Sequence, residues 1–207
     1  MSSESIKNTI SLMLITLIAG LLLGAVYEIT KEPIRKENQK AKEEAYKAVF
    51  ADADSFETVD VDADAFEDVK IYVDKVAKAL DEKGLDATIN EAMKVLDKSG
   101  QQIGYVLTVT DHEGYGGDIQ FAMGVQSDGT LNGISFLSIS ETAGLGMKAK
   151  EDAFRKQFEG KKTDQIVYTK NGAKADNEID ALSGATITTN AVTNGVNAGL
   201  YFISTLQ

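Results

Sequence analysis

An α+β protein is predicted: an antiparallel sheet with flanking helices, preceded by one transmembrane helix. Three observations predict it. Thr9 to Tyr27, "TISLMLITLIAGLLLGAVY", carries no charge over 19 positions. From Ile103 to Phe136 the apolar residues recur with a period of two, the period of a half-buried strand. Near the end, Val192, Val196, Leu200 and Ile203 fall at helical spacing on one stripe.

The elements follow in order. Residues 1–8 form an N-terminal tail. Residues 9–27 form the transmembrane helix, whose span at 1.5 Å per residue is roughly 28 Å, close to the hydrocarbon thickness of a bilayer. A signal peptide usually has a shorter apolar region, and no clear small-x-small cleavage site follows this one. Gly20 and Gly24 form G-x-x-x-G, a spacing that admits a close neighbouring helix, although glycine is also common in membrane helices generally. Residues 28–50 read as a helical stalk, amphipathic from Lys31, with Pro33 near its start and Glu–Lys pairs such as Glu32–Lys36 and Glu43–Lys47. Lys31, Arg35, Lys36, Lys40 and Lys42 flank the span on this side, interleaved with Glu28, Glu32, Glu37, Glu43 and Glu44. Large domains translocate largely regardless of charge, so the flanks leave orientation open.

The body is expected to span 51–207. Its first part holds eight acids between Asp52 and Asp68, in a near-repeat. A calcium loop would need a Gly at its sixth position and a terminal Glu; both are missing, which favours a solvated acidic surface. A short apolar run, "IYV", and helical spacing at Ile89, Met93 and Leu96 come next. Ile103, Tyr105, Leu107 and Val109 then share one strand face, as do Ile119, Phe121, Met123 and Val125. "SDGT" is a turn into a strand through Ile134 and Phe136, completing an antiparallel meander. Phe154 and Phe158 mark a helix closed by Gly160, and "IVYT" is a short strand before the Asn171-Gly172 turn.

Composition narrows the chemistry. Of 207 residues, 43% are apolar, which supports a core. The net charge of −11, from 21 basic and 32 acidic residues, repels phosphate backbones and argues against nucleic acid as a partner. There is no Cys, one His (His112) and no Trp. Disulfides, thiolate-bound iron–sulfur clusters, zinc sites built on Cys and bis-histidine haem are therefore excluded. No metal site and no catalytic acid–base set is expected, and any redox role requires an organic cofactor.

Three loops rich in small residues stand out: "HEGYGG" from His112 to Gly117, "ETAGLGMK" from Glu141 to Lys148, and "LSGATITTN" from Leu182 to Asn190. Glycine lets a ligand approach the backbone closely, and three such loops in one body suggest a flat or phosphorylated ligand. The third precedes the last helix, with Thr188, Thr189 or Asn190 as the expected N-cap. It would then sit at the positive end of a helix dipole with free N–H groups, which suits a phosphate; the hydroxyls also suit plain helix capping.

Asp180-Ala-Leu-Ser-Gly-Ala-Thr186 resembles the D-x-x-[ST]-G-A-T signature of proteins that carry FMN through a phosphoester on the final threonine. Together "EGYGG", "ETAGLG" and "SGATITT…AVTNGVN" are similar to the FMN-binding domain of the Rnf complex G subunit, part of a membrane ferredoxin:NAD oxidoreductase that pumps ions. The C subunit of the sodium-pumping NADH:quinone reductase shares this domain. The resemblance covers nearly the whole chain and is sharpest over residues 100–200. Ala143 departs from the family's usual E-T-P-G-L-G, which makes that loop less rigid without removing a ligand-binding group.

The resemblance implies covalent FMN on Thr186, placed there by a separate flavin transferase with FAD as donor. It implies that Ser183, Gly184, Ala185 and Thr188 shape the elbow. Glu141, Thr142, Leu145, Gly146 and Lys148 would touch the ring or the phosphate, and Gly116 and Gly117 would let the first loop come close. Tyr115 is a less definite contact, and His112 is expected to be solvated. The body would lie outside the cytoplasm, with the N-terminus inside. The implied partners are integral membrane subunits, one bearing a second covalent FMN, and iron–sulfur subunits. Alternatives are the equivalent component of the quinone reductase, an anchored ligand-binding module without redox work, and a scaffold whose threonines only cap a helix.

Overall fold

The computed structural model describes residues 3–58 and 76–206. The acidic near-repeat beyond Thr58 and the "IYV" run at 71–73 lie outside the described residues, so the choice between a calcium loop and an acidic surface does too. The chain divides into two compact units, Met1–Ala41 and Lys42–Gln207.

Helix α1, Ser3–Val49, runs through both the apolar stretch and the stalk residues. Pro33 lies inside it, where the missing N–H leaves one turn without its usual hydrogen bond. The helix is long and apolar enough to cross a membrane, and apolar side chains from Ile6 to Ile34 are exposed along it.

The second unit is built on a five-stranded antiparallel meander in the order β1 (Ser55–Thr58), β2 (Ala87–Leu96), β3 (Gln102–Asp111), β4 (Ile119–Gln126) and β5 (Leu131–Ser138). A helical segment, α2, occupies 76–82. A 3₁₀ helix (Gly146–Lys150), α3 (Asp152–Arg155) and a second 3₁₀ turn (Lys156–Phe158) follow β5. Strands β6 (Val167–Thr169) and β7 (Glu178–Asp180) pair in parallel, and α4 (Thr186–Leu206) closes the fold.

The sheet buries both faces. Leu107, Val109, Phe121 and Met123 point at α4, whose Val192, Val196, Leu200 and Ile203 meet them on the predicted stripe. The other face carries Val95, Val106 and Ala122, covered by Ala45, Tyr46, Val49 and Phe50 from the end of α1 and the residue after it. Phe50 fills a trough where β3 and β4 have glycines: a Cβ on Gly104 would stand 2.6 Å from its ring, and one on Gly124 would stand 3.0 Å away. The Tyr46 hydroxyl bonds Glu91 Oε2 at 3.0 Å and Thr108 Oγ1 at 2.8 Å, and Lys42 pairs with Glu91. Burial pushes the Tyr46 hydroxyl well above the usual tyrosine range.

Two expectations are corrected here. Ile89, Met93 and Leu96 belong to strand β2, not to a helix. Spacings of four and three suit a helix, but pairing with β1 and β3 makes the segment a strand whose alternation a bulge interrupts. Ile89 pairs with Val109 and Glu91 with Thr108, leaving Asn90 as a surplus bulge residue. The bulge reverses the alternation, so Ile89 packs towards α4 while Met93 and Val95 pack towards α1. Ile103 likewise does not share a face with Tyr105, Leu107 and Val109. Val95 pairs with Gly104 and Leu96 with Gln102, and this slip sends Ile103 to the α1 side.

Candidate functional site

The elbow before α4 is a turn closed by the Ala185 N–H donating to Leu182 O at 3.1 Å, with Gly184 at φ +75°, a conformation that suits glycine. The expected N-cap is corrected. The Thr189 N–H donates to Ala185 O at 3.0 Å, so Ala185 is the cap and α4 starts at Thr186. Thr188, Thr189 and Asn190 lie within the first turns instead. Thr189 is fully buried and locks the elbow, because its hydroxyl donates to Ala185 O at 2.9 Å and accepts the Leu182 N–H at 3.0 Å. Among the described residues no hydrogen bond occupies the hydroxyl of Thr186, which stands half-buried at the first position of a 21-residue helix. The amides of Thr186, Ile187 and Thr188 precede the first intrahelical bond and lie at the positive end of the dipole.

The three glycine loops converge on this elbow. The Gly116 N–H donates to Glu141 Oε1 at 3.3 Å, which joins the first loop to the second. A Cβ on Gly116 would fall 1.8 Å from Ser140 O, so only glycine permits that approach. Gly146 joins the second loop to the third: a Cβ there would meet Thr188 Oγ1 at 2.5 Å and Glu141 Oε2 at 2.7 Å.

Between the loops lies an open cleft of about 550 Å³. Its wall includes Glu141, Thr142, Leu145, Gly146, Gly184, Ala185, Thr186 and Thr188, all expected from the sequence. Ser183, Lys148, Gly116 and Gly117 are exposed and lie outside the wall itself. Tyr115 and Ile187 complete the wall. Ile187 is absent from the expected set. Its signal is an apolar residue five positions before Val192, far off the buried stripe of α4.

Outside α1, the exposed large apolar side chains among the described residues are Tyr115, Leu145, Val167 and Ile187, and three of the four border this cleft. A flat apolar ring would cover them, and a phosphate would meet the amides of α4. The residues present therefore fit FMN. His112 stands off the wall, exposed as expected but not free. Its Nδ1 lies 3.0 Å from Asp118 Oδ1 and its Nε2 2.9 Å from Thr88 Oγ1, and the Asp118 contact raises its pKa.

Asp111, at the end of β3, is wholly buried where the first loop begins. Its Oδ1 accepts the Glu113 N–H at 2.9 Å, while Oδ2 is buried with no hydrogen-bond partner among the described residues. Desolvation, only partly offset by that bond, pushes its pKa up to about 7. Glu113 Oε2 in turn accepts from Asn194 Nδ2 of α4 at 2.8 Å, so the first loop is tied to the last helix.

Two family models match the chain: the RnfG N-terminal region over residues 1–49 and the FMN-binding domain over residues 114–201. The G subunit of the proton-translocating ferredoxin:NAD(+) oxidoreductase complex of Clostridium ljungdahlii is 29% identical over 210 residues, covering 99% of this chain and 97% of that protein. The G subunit of the Na(+)-translocating ferredoxin:NAD(+) oxidoreductase complex of Acetobacterium woodii is 30% identical over 203 residues, covering 97% and 92%. The C subunit of the Na(+)-translocating NADH-quinone reductase of Vibrio anguillarum is 33% identical over 127 residues, covering 57% and 50%. The quinone-reductase protein is thus matched over about half its length, whereas the two ferredoxin:NAD(+) oxidoreductase proteins are matched almost end to end, N-terminal region included. The chain belongs to the RnfG family of ion-translocating oxidoreductase components.

Proposed function

We propose that this chain is the electron-transfer subunit of a membrane-bound, ion-translocating ferredoxin:NAD oxidoreductase, and that it carries FMN esterified to Thr186. The observation that carries the proposal is the Thr186 hydroxyl. It takes no hydrogen bond among the described residues, and it stands on α4 in a cleft where three glycine loops meet within an FMN-binding domain. Bound FMN supplies one- and two-electron chemistry that the side chains of this polypeptide do not.

The chain's own task is to hold and shield. The first-turn amides of α4 would hold the phosphate and favour its charge. Leu145 and Ile187 offer apolar surface on the cleft wall, and Tyr115 a phenol ring beside them. Glu141 ties the second loop to the first through the Gly116 amide. Thr189 keeps the elbow closed by its two bonds, so Thr186 is presented on a rigid support. A covalent ester retains the cofactor where mass action at low free FMN would lose it.

Helix α1 anchors the chain, with the body on the extracytoplasmic side and the N-terminus in the cytoplasm. Its partners are the integral subunits, one with a second covalent FMN, and the iron–sulfur subunits, and a flavin transferase matures it. Co-expression with a flavin transferase followed by intact mass measurement tests the attachment. Wild type gains one FMN and Thr186→Ala gains none; equal gain in both would refute Thr186 as the attachment point.

A further inference from the structure

Strand β7 is three residues long, yet it sets the entry to the elbow. Ile179 is fully buried, while the carboxylates on either side turn outwards to the 170–177 loop. Glu178 Oε2 accepts the amides of Lys174 and Ala175 at 2.8 and 3.1 Å, and Asp180 Oδ1 accepts the Ala173 N–H at 2.7 Å. The backbone of Asp180 is held from the opposite side by one side chain, Gln157. Gln157 Oε1 accepts the Asp180 N–H at 2.6 Å, and its Nε2 donates to Asp180 O at 3.3 Å. The amide thus supplies both a donor and an acceptor, as a neighbouring strand would. Gln157 itself sits on a firm knuckle. Phe154 and Phe158 flank it, are buried at 2% and 0% exposure, and pack edge to face at 5.5 Å. The chain leaves Asp180 through the Ala181 N–H, which donates to Thr169 O at 2.8 Å, and enters the elbow at Leu182.

We propose that Gln157 is a positioning residue for the covalent loading of Thr186, and that Asp180, the first residue of the D-x-x-S-G-A-T run, serves that loading through hydrogen bonds and not through its charge. The proposal rests on Thr186 being the attachment point. In the loading step the Thr186 oxygen attacks the FMN-side phosphorus of FAD. An O–P bond forms, the bond to the AMP phosphate breaks, AMP leaves, and the hydroxyl proton passes to solvent. No electrons are gained or lost. The transferase needs the hydroxyl held at one place, and Gln157 holds the strand that leads to it, a few residues upstream of the helix start.

The test is a time course of FMN incorporation from FAD by a flavin transferase into the full-length chain in detergent, followed by intact mass. Gln157→Leu removes both bonds at similar volume, Gln157→Glu keeps only the acceptor, Asp180→Ala removes the side-chain acceptor, and Asp180→Asn keeps it without charge. Gln157→Leu and Asp180→Ala should lower kcat for loading by about tenfold, the order expected from one net hydrogen bond, with KM for the acceptor chain changed by less than about twofold. Gln157→Glu should recover part of the rate, and Asp180→Asn most of it. Amide exchange at Ala181 and Leu182 should quicken in Gln157→Leu, while circular dichroism shows the fold retained. Loading of Gln157→Leu at the wild-type rate, or failure of Asp180→Asn as complete as that of Asp180→Ala, overturns the proposal. If the wild type itself takes no FMN, the attachment reading falls and this proposal falls with it, a result distinct from wild type and Gln157→Leu loading equally well.

Discussion

Replacing Asp111 by Asn should stabilise the protein at alkaline pH and leave it nearly unchanged in acid. Asp111 is fully buried, and its Oδ2 has no partner among the described residues, so its ionised form is disfavoured in the folded state. The carboxyl titrates near 3.8 when unfolded and at about 7 when folded. A group whose folded pKa is raised in this direction keeps its proton in the native state after the unfolded chain has lost it. Stability is therefore full below the unfolded pKa and falls as pH rises from about 4 to about 7, then levels off. At 1.36 kcal/mol per unit, the loss approaches ~4 kcal/mol, an upper figure because the first loop can relax. Glu113 and Asp86 add repulsion to the ionised form, and His112 offsets part of it. Asn keeps the Glu113 N–H acceptor and never ionises. Urea unfolding of the full chain in detergent, from pH 4.5 to 8.5, should show a falling stability in wild type and a flatter profile in Asp111→Asn, with the variant ahead by roughly 2–4 kcal/mol at pH 8. His112 also has a raised pKa, chiefly from its hydrogen bond to Asp118, and its contribution likewise fades with rising pH; Asp111 supplies the smallest of the causes, so most of that contribution is shared by the two proteins. Parallel profiles for wild type and variant would refute the assignment.

Three further outcomes are expected. Gly146→Ala places a Cβ 2.5 Å from Thr188 Oγ1 and 2.7 Å from Glu141 Cβ, so the second loop must shift; thermal midpoint and FMN content by absorbance should both fall. Phe50→Ala empties the trough over Gly104 and Gly124, and urea unfolding should show a loss of about 3–4 kcal/mol, in the range for a large buried aromatic. Tyr46→Phe keeps the ring but leaves Glu91 and buried Thr108 without its hydroxyl, which should cost about 1–2 kcal/mol in the same assay.

The meander and the α4 stripe were legible because each is a local pattern, whereas the residues of the cleft wall came from the family resemblance of the three glycine loops. Phe121, Met123 and Val125 alternate without interruption, so their common face was legible. The faces of Ile89 and Ile103 are not legible in the sequence for one reason: a surplus residue in a strand leaves no compositional mark, and only pairing reveals it. The start of α4 is ambiguous in the sequence because a threonine suits both a cap and a first turn, and the bond from the Thr189 N–H to Ala185 O decides between them. Gln157 and Asp180 lie 23 positions apart, and nothing in the spacing of an isolated glutamine marks it as a partner for a distant backbone. Asp111 looked like one more acid in an acidic chain until its surroundings were known.

The surplus residue at Asn90 makes β2 a seam between two oily layers: before it the odd-numbered Ala87 and Ile89 face α4, and after it the odd-numbered Met93 and Val95 face the end of α1 while Ala92 faces α4. Drawing that residue into regular pairing would not simply straighten the strand. It would throw everything from Glu91 onward out of phase, turning Met93 and Val95 against α4 and Lys94 under α1. Phase at this position is thus inflexible, in contrast to the solvent-facing turn at 97–100, where added residues would disturb neither layer.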